Sequence, residues 1–582
     1  MVTYTDKPWL KHFDEGVPAS LEPYPEITIP DFLRRSAEKF PKRPALVMDA
    51  KLPYLGRIKY TVTYRQLDRL SDAMAVALIN LGLHKGEHVA LMIPNSTAFV
   101  IAYYGVLKAG GVVVAVNPDY PALKIQKQLI ECDAVMMVTM SLYYDMLKVI
   151  QSETKIRNLI VTNIKEYLPR AARILFAMTT EKKDGHYIGK LPPGDYRLQD
   201  LLKRYSGKQP QVEVLPSDIA LLQYTGGTTG TPKGAMATHS ALVASTLQAN
   251  AWSTLDLPEV ENMPARHELV FLGVIPMFHV YGLVVLLSQA ISGGASVILV
   301  PNPRDINSLV EMIDYYQPSV FLGVPTLWNA ITDHADISSG KVSLKSIIIA
   351  YCAAAPMHYT TREAAENAGA RKLVQAYGLS EVPAGNHSNP MIGDNRRDSV
   401  GLPLSDIDVR IVDLETGLQE MPVGEPGEII VNSPSLMVGY YNQPEETAIA
   451  LREFDGKIFM YTGDVGYMDQ DGYFYITDRK KDMVLIGGFN VYPTNVEKVL
   501  LTHPAVQDVG VAGIPHPKKA GEEALMAWVV VKPGHRVKRG DLIAHCKPHL
   551  AGYEIPRRFE FIDELPKSAV GKLLRRELIE ML

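Results

Sequence analysis

The sequence predicts an α/β protein, with a large N-terminal domain of layered α/β sheets that includes a β-rich subdomain, and a small α+β C-terminal domain. Three observations predict it. Helical and short apolar segments alternate through roughly the first 400 residues, the pattern of helices packed on mostly parallel sheets. From about Gly401 the texture changes to short β-like runs between Gly, Pro and Asp turns. After DRKKDMVLIGG it changes again, to helices and strands over about a hundred residues, the size of an independent domain. A chain of 582 residues also exceeds what one hydrophobic core holds. The expected domains are 1–480, with the β-rich subdomain at about 401–480, and 481–582, with the boundary near Arg479 to Asp482.

Along the chain, YRQLDRLSDAMAVALINLG from Tyr64 reads as an amphipathic helix and HVALMI from His88 as a strand. STAFVIAYYGVLKAG from Ser96 reads as a second amphipathic helix, and VVVAV from Val112 as the next strand. Residues 269–300 contain no Lys, Arg, Asp or Glu, and hydropathy alone would make them a membrane span. However, Pro276, His279, the Tyr281-Gly282 pair, Gln289 and the Gly293-Gly294 pair divide the stretch. What remains is LVFLGVIPM and ASVILV as buried strands and YGLVVLLSQAI as a buried helix. A β-α-β unit is the better reading, because parallel strands are covered on both faces and look continuously apolar. IIIAYCAA near Ile347 belongs to another such unit, and DVRIVD, GEIIVNS and GYFYIT are strands of the β-rich subdomain. In the C-terminal domain NVEKVLLTH and RGDLIAHCKPHL are the expected helices, with VQDVGVAGI, EALMAWVVVK and RRFEFID as strands.

Hydrophobic residues make up 47% and charged residues 21%, the balance of a soluble globular protein. A net charge of −5 supplies no basic field, which argues against nucleic acid as a partner. Cys132, Cys352 and Cys546 are far apart and form no CxxC pattern, which argues against disulfides and structural zinc and fits a reducing cytoplasm. The first residues, MVTYTDKPWLKHFDEG, lack the features of a secretory signal. In the basic stretch 164–190, Leu168, Ile174, Leu175 and Met178 can share an apolar face beside Arg170, Arg173, Lys182 and Lys183. Two readings stand: peripheral contact with a membrane surface, or an ordinary solvated helix and loop.

The strongest local signal is LLQYTGGTTGTPKGAMATH, an apolar run that ends in Thr225, Gly226, Gly227, Thr228, Thr229 and Gly230, followed by Lys233. Glycines let successive backbone N–H groups converge on an anion, hydroxyls add donors, and the lysine adds charge, a chemistry suited to a triphosphate. The spacing is neither that of a Walker loop nor that of a Rossmann fingerprint. Four further motifs follow: QAYGLSE at Gln375, YTGD at Tyr461, DRKKDM at Asp478 and PKSAVGKLLRREL at Pro566. In this order the five resemble the signature of adenylate-forming enzymes, the superfamily of acyl-CoA synthetases, luciferases and peptide-synthetase adenylation domains. With NPRDI at Asn302 and GGFNVYP at Gly487, the chain looks most like the long-chain fatty acid CoA ligases.

The resemblance implies ATP, Mg²⁺ and CoA acting on a fatty acid through an acyl-adenylate, a mobile C-terminal domain and, by analogy, a homodimer. It places ATP on Thr225, Gly226, Gly227, Thr228, Thr229, Gly230 and Lys233, with Ala354, Tyr377, Gly378 and Ser380 nearby and Asp464 and Arg479 at the ribose. Glu381 and Thr228 are the implied Mg²⁺ ligands, in line with the preference of a hard cation for oxygen. Lys572 is implied in adenylate formation, where attack of a carboxylate on the α-phosphate gathers negative charge that an ammonium can stabilise. His279, with Glu381 and Lys572, completes the catalytic set. His279, Tyr281, Gly323, Pro325 and Ala353 are the implied acyl contacts, Lys481 the hinge, and Gly487 and Gly488 the close-packed wall for the CoA arm. CAAAPM departs from the family's SGGAP, because Ala353 and Ala354 stand where glycine is usual. Rival readings are a CoA ligase for a medium-chain or aryl acid, and a fatty acyl-AMP ligase that loads a carrier protein.

Overall fold

The computed structural model describes residues 2–582 except 53–55, 226–231, 254–262, 384, 487–488, 517–522 and 569–570. Two large sheets form the N-terminal body. In the eight-stranded sheet, His88–Met92, Val112–Ala115, Met136–Met140 and Asn158–Thr162 pair in parallel, with Ile219–Thr225 and Lys233–Thr238 completing one side as an antiparallel pair. In the nine-stranded sheet, Ser296–Leu299, Val270–Gly273, Val320–Gly323, Ile349–Cys352 and Leu373–Tyr377 lie side by side in parallel.

The apolar stretch 269–300 is the β-α-β unit expected of it. Its strands Val270–Gly273 and Ser296–Leu299 pair in parallel, and the connecting helix is buried. That helix is a π-helix over Tyr281–Ser288 that runs into an α-helical turn, Gln289–Gly293. Among the described residues no helix is long and apolar enough to cross a membrane.

The helix Thr97–Lys108 corrects the amphipathic expectation, because all twelve of its residues are buried. It touches Pro44–Leu52 of one sheet and His88–Met92 and Val112–Ala115 of the other, so it has no solvent face to keep polar. Its last residue, Lys108, has a fully buried side chain. The ammonium bonds Asp68 Oδ1 at 2.6 Å, the Asp68 carbonyl at 3.0 Å and Asp72 Oδ1 at 2.7 Å, all on the neighbouring helix Tyr64–Asn80. That helix starts in a capping box in which Thr63 and Gln66 satisfy each other's backbone N–H groups.

A five-stranded sheet follows, and its long strand Lys457–Met468 pairs with Gly427–Asn432, Leu451–Phe454 and Phe474–Arg479. The C-terminal α+β domain has a three-stranded sheet of Val506–Pro515, Glu523–Val531 and Arg558–Phe561, with helices Pro493–Leu501, Arg539–Cys546 and Arg575–Glu580. Arg575 pins the last helix in place. Its guanidinium forks onto Glu497 at 2.9 and 2.8 Å, bonds Thr494 Oγ1 and the Val511 carbonyl, and reaches Asp482 at 3.4 Å.

Removing one partner of a buried ion cluster leaves uncompensated charge. Lys108→Ala is expected to lower the stability of the N-terminal body by about 3–5 kcal/mol, read as a lower urea midpoint in tryptophan fluorescence. Adding Asp68→Asn and Asp72→Asn is expected to recover most of the loss.

Candidate functional site

The parallel strands of both sheets send their C-terminal ends towards one cleft, the usual place for a ligand in open α/β sheets. Tyr224 lies at the end of Ile219–Thr225, Pro325 follows Val320–Gly323, Ala353 and Ala354 follow Ile349–Cys352, and Tyr377 ends Leu373–Tyr377. All of them line a cavity of about 2680 Å³, and Asp464, Arg479, Lys481 and Lys572 close it from the side of the smaller sheets. A drug-sized ligand occupies a pocket of about 300–1,000 Å³, so this cleft has room for several groups at once.

Asp464 is the centre of one end. Antiparallel pairing of Lys457–Met468 with Phe474–Arg479 sets Asp464 directly opposite Arg479, and their side chains meet at 2.8 Å. The other Asp464 oxygen accepts the Tyr377 hydroxyl at 2.6 Å, and burial beside this carboxylate pushes the Tyr377 phenol far up. Asp464 is only 3% exposed, so its charge is satisfied by these partners rather than by water.

Lys572 reaches the same place from the C-terminal segment. Its N–H donates to Ser568 Oγ at 3.1 Å and its carbonyl accepts the Ser568 N–H at 2.8 Å, which closes a tight loop. Gly571, at φ 74°, makes the turn, and a Cβ there would stand 3.0 Å from Thr326 Oγ1. Glycine thus allows the loop to press against the strand end at Pro325. Burial, reinforced by the nearby Arg479 and Lys481 charges, lowers the Lys572 ammonium to about 8, while Asp464 and Asp482 oppose the shift. Lys481 is likewise lowered to about 8 by burial and by Arg479.

A second group gathers around Tyr440. The short strand Gly439–Tyr440 pairs with Ala235 and Met236, which brings the Tyr440 ring to 5.3 Å from the Lys233 ammonium. The Tyr440 hydroxyl donates to Glu381 Oε1 at 2.8 Å. Lys233 is paired with Glu446. Thr225 ends the strand that pairs with Lys233, whereas Gly226, Gly227, Thr228, Thr229 and Gly230 lie outside the described residues. Glu381 lines the cleft, and among the described residues no cation lies within salt-bridge reach of it. An oriented carboxylate of this kind fits a divalent cation that prefers oxygen. Tyr440 and Glu446 carried no sequence signal, because a two-residue strand pairing sets their place.

His279, Tyr281, Pro325 and Ala353 line the third, more apolar arm. Burial lowers His279 to about 4, so its imidazole is neutral near pH 7 and offers a single N–H. Gly323 departs from the expectation because it lies behind the wall. A Cβ on it would sit 2.5 Å from Trp328 Nε1, and its carbonyl accepts the Tyr281 hydroxyl at 3.3 Å and the Ala353 N–H at 3.2 Å. Ala354 has φ 71°, the left-handed region that explains why glycine is usual there, and alanine bears about 1–2 kcal/mol of strain for it. Gly378 and Ser380 line the cleft beside Tyr377. Gly487 and Gly488 lie outside the described residues, between the paired strands Val484–Ile486 and Phe489–Val491. The other side of the apolar arm, formed by Ala249, Trp252, Val285 and Leu404, escaped the sequence reading because these residues look like ordinary core.

A family model described as AMP-binding enzyme matches residues 33–441, and one described as AMP-binding enzyme C-terminal domain matches 495–572. A long-chain-fatty-acid–CoA ligase from Bacillus subtilis is 37% identical over 99% of this chain and 98% of its own. One from Yersinia pestis is 34% identical over 98% of both. Among solved structures, ATP-bound MatB from Rhodopseudomonas palustris superposes with a TM-score of 0.80 at 24% identity, covering 95% of this chain and 99% of that one. A Mycobacterium tuberculosis fatty acyl CoA synthetase gives 0.68 at 25% identity, over 95% and 98%.

An amine-selective acylating reagent, which attacks only the neutral amine, is expected to label Lys572 with a midpoint near pH 8, well below an ordinary lysine at 10.5. Asp464 favours the ammonium, so Asp464→Asn is expected to move the midpoint lower still. Peptide mass mapping across pH reads both shifts, and an unmoved midpoint in the variant refutes the coupling.

Proposed function

The chain belongs to the AMP-binding enzyme family, and from that premise we propose that it is a long-chain fatty acid CoA ligase. The observation that carries the reading is the meeting of Lys572 with Asp464, Arg479 and Tyr377 in a cleft that also has an apolar arm. In the first half-reaction a carboxylate oxygen of the fatty acid attacks the α-phosphorus of ATP and pyrophosphate leaves. The Lys572 ammonium stabilises the charge that builds on the phosphoryl oxygens, a role typically worth about 10²-fold or more in rate. Asp464 accepts the ribose hydroxyls, and Arg479 holds that carboxylate in place. The neutral His279 donates a hydrogen bond at the carboxylate end of the acyl arm. Glu381 would hold Mg²⁺, which would neutralise charge on the phosphates.

In the second half-reaction the CoA sulfur attacks the acyl carbonyl, AMP leaves, and the thiol proton is released. Lys572 obstructs that approach, so the reading includes units 1–480 and 481–582 that turn about Lys481 and bring Gly487 and Gly488 to the CoA arm. Support for a long chain rather than an aryl or medium-chain acid is the apolar arm and the 33–37% identity to ligases of that name. Peripheral membrane contact is supported by the helix Arg170–Thr179, on which Ile174 is 61%, Leu175 41% and Met178 80% exposed.

Lys572→Ala is expected to lower pyrophosphate release at least about 10²-fold and to spare thioester formation from supplied acyl-AMP. Equal loss of both half-reactions would sink the assignment. Thioester formation with free CoA separates this enzyme from a carrier-loading ligase. Co-sedimentation with anionic phospholipid vesicles is expected to weaken with salt and in Ile174→Glu/Met178→Glu, and absence of binding refutes the membrane contact.

A further inference from the structure

Two helical segments run along the apolar arm of the cleft. From His239–Ser253, Ala249, Trp252 and Ser253 face the cavity. From Tyr281–Gly293, Tyr281, Val285 and Gln289 face it, each four residues after the last. Gln289 therefore follows Tyr281 and Val285 along the same face of the segment, beyond the end of the π-helix Tyr281–Ser288.

At Gln289 the two segments are cross-linked by polar groups. The Gln289 amide donates to the Ala249 carbonyl at 3.2 Å and to Ser253 Oγ, and the Ser253 hydroxyl in turn donates to the Ala249 carbonyl at 2.6 Å. Gln289 is 3% and Ser253 4% exposed. Beside them the Trp252 ring is buried and held edge-on by Phe13 at 4.9 Å. A braced amide and a fixed indole thus line the arm on the side away from His279.

We infer that the Gln289–Ser253 pair, backed by Trp252, is the chain-length stop of the acyl arm. The inference rests on the reading that a fatty acid occupies this arm. Each methylene buried in a free arm improves binding about fourfold. Pushing the Gln289 amide aside instead strips buried donors and acceptors of their partners, a loss of about tenfold to a hundredfold. One further methylene cannot offset that loss, so the preference should end in a step rather than a slow decline. Carboxylate recognition and adenylation lie at the His279 and Lys572 end, away from the stop.

The test is a series of saturated fatty acids of increasing length, with kcat/KM from pyrophosphate release by the full chain. The wild type is expected to rise with length and then drop at least tenfold over one or two added carbons. In Gln289→Ala, the ratio of kcat/KM just beyond that limit to kcat/KM at the limit is expected to rise at least tenfold. Gln289→Met keeps the length of the side chain without the amide, and is expected to turn the step into a gradual decline. It keeps the test open should the alanine variant fold poorly. An unmoved limit with an unsoftened step in Gln289→Met, or a uniform loss for all lengths, overturns the stop. If the wild type releases no pyrophosphate with any fatty acid, the functional reading itself has failed.

Discussion

Arg479, Lys481 and Lys572 line one cleft with much of each cation buried, and Asp464, with Asp482, supplies the counter-charge among them. Without a carboxylate at that point, three like charges would face one another where water screens them little. The pairing does more than neutralise. Together with Asp482, Asp464 opposes burial and the Arg479 charge at Lys572, whose ammonium is lowered to about 8.

The fold places this carboxylate by backbone pairing. The register of Lys457–Met468 against Phe474–Arg479 sets Asp464 opposite Arg479, and Tyr377 arrives from the end of a strand in a different sheet. Lys572 is positioned from the other side. Arg575, three residues on, is anchored by Glu497, Thr494 and the Val511 carbonyl, and Gly571 lets the loop approach Thr326 closely. Arg575 thus anchors the segment within its own domain, and Gly571 sets it against Thr326 of the N-terminal body.

The three arms of the cleft show different physics. Around Asp464 the groups are charged, paired and buried. Around Glu381 the carboxylate has a phenol as partner and remains available to a cation. Along Tyr281 and Val285 the lining is mostly apolar, with the Gln289 amide on the same face and tied to Ser253. A nucleotide ribose, a metal-bound phosphate chain and an aliphatic tail match these three environments in turn.

The sequence by itself determined the element types and the β-α-β reading of 269–300, since periodicity and glycine spacing are local properties, while Asp464, Arg479, Glu381 and Lys572 were legible through motifs that resemble a family signature. Tertiary structure alone decided the rest. The helix Thr97–Lys108 is buried all round because sheets flank it on both sides, a fact that no local pattern encodes. Gly323 lies behind the wall because Trp328 packs over it, and Lys233 pairs with Glu446, more than two hundred residues on, because the pair Gly439–Tyr440 joins its strand. The places of Tyr440, Trp252 and Gln289 in the cleft were not legible for the same reason: a side chain's chemical surroundings are set by which distant segments pack against it, and residue type alone carries no record of that.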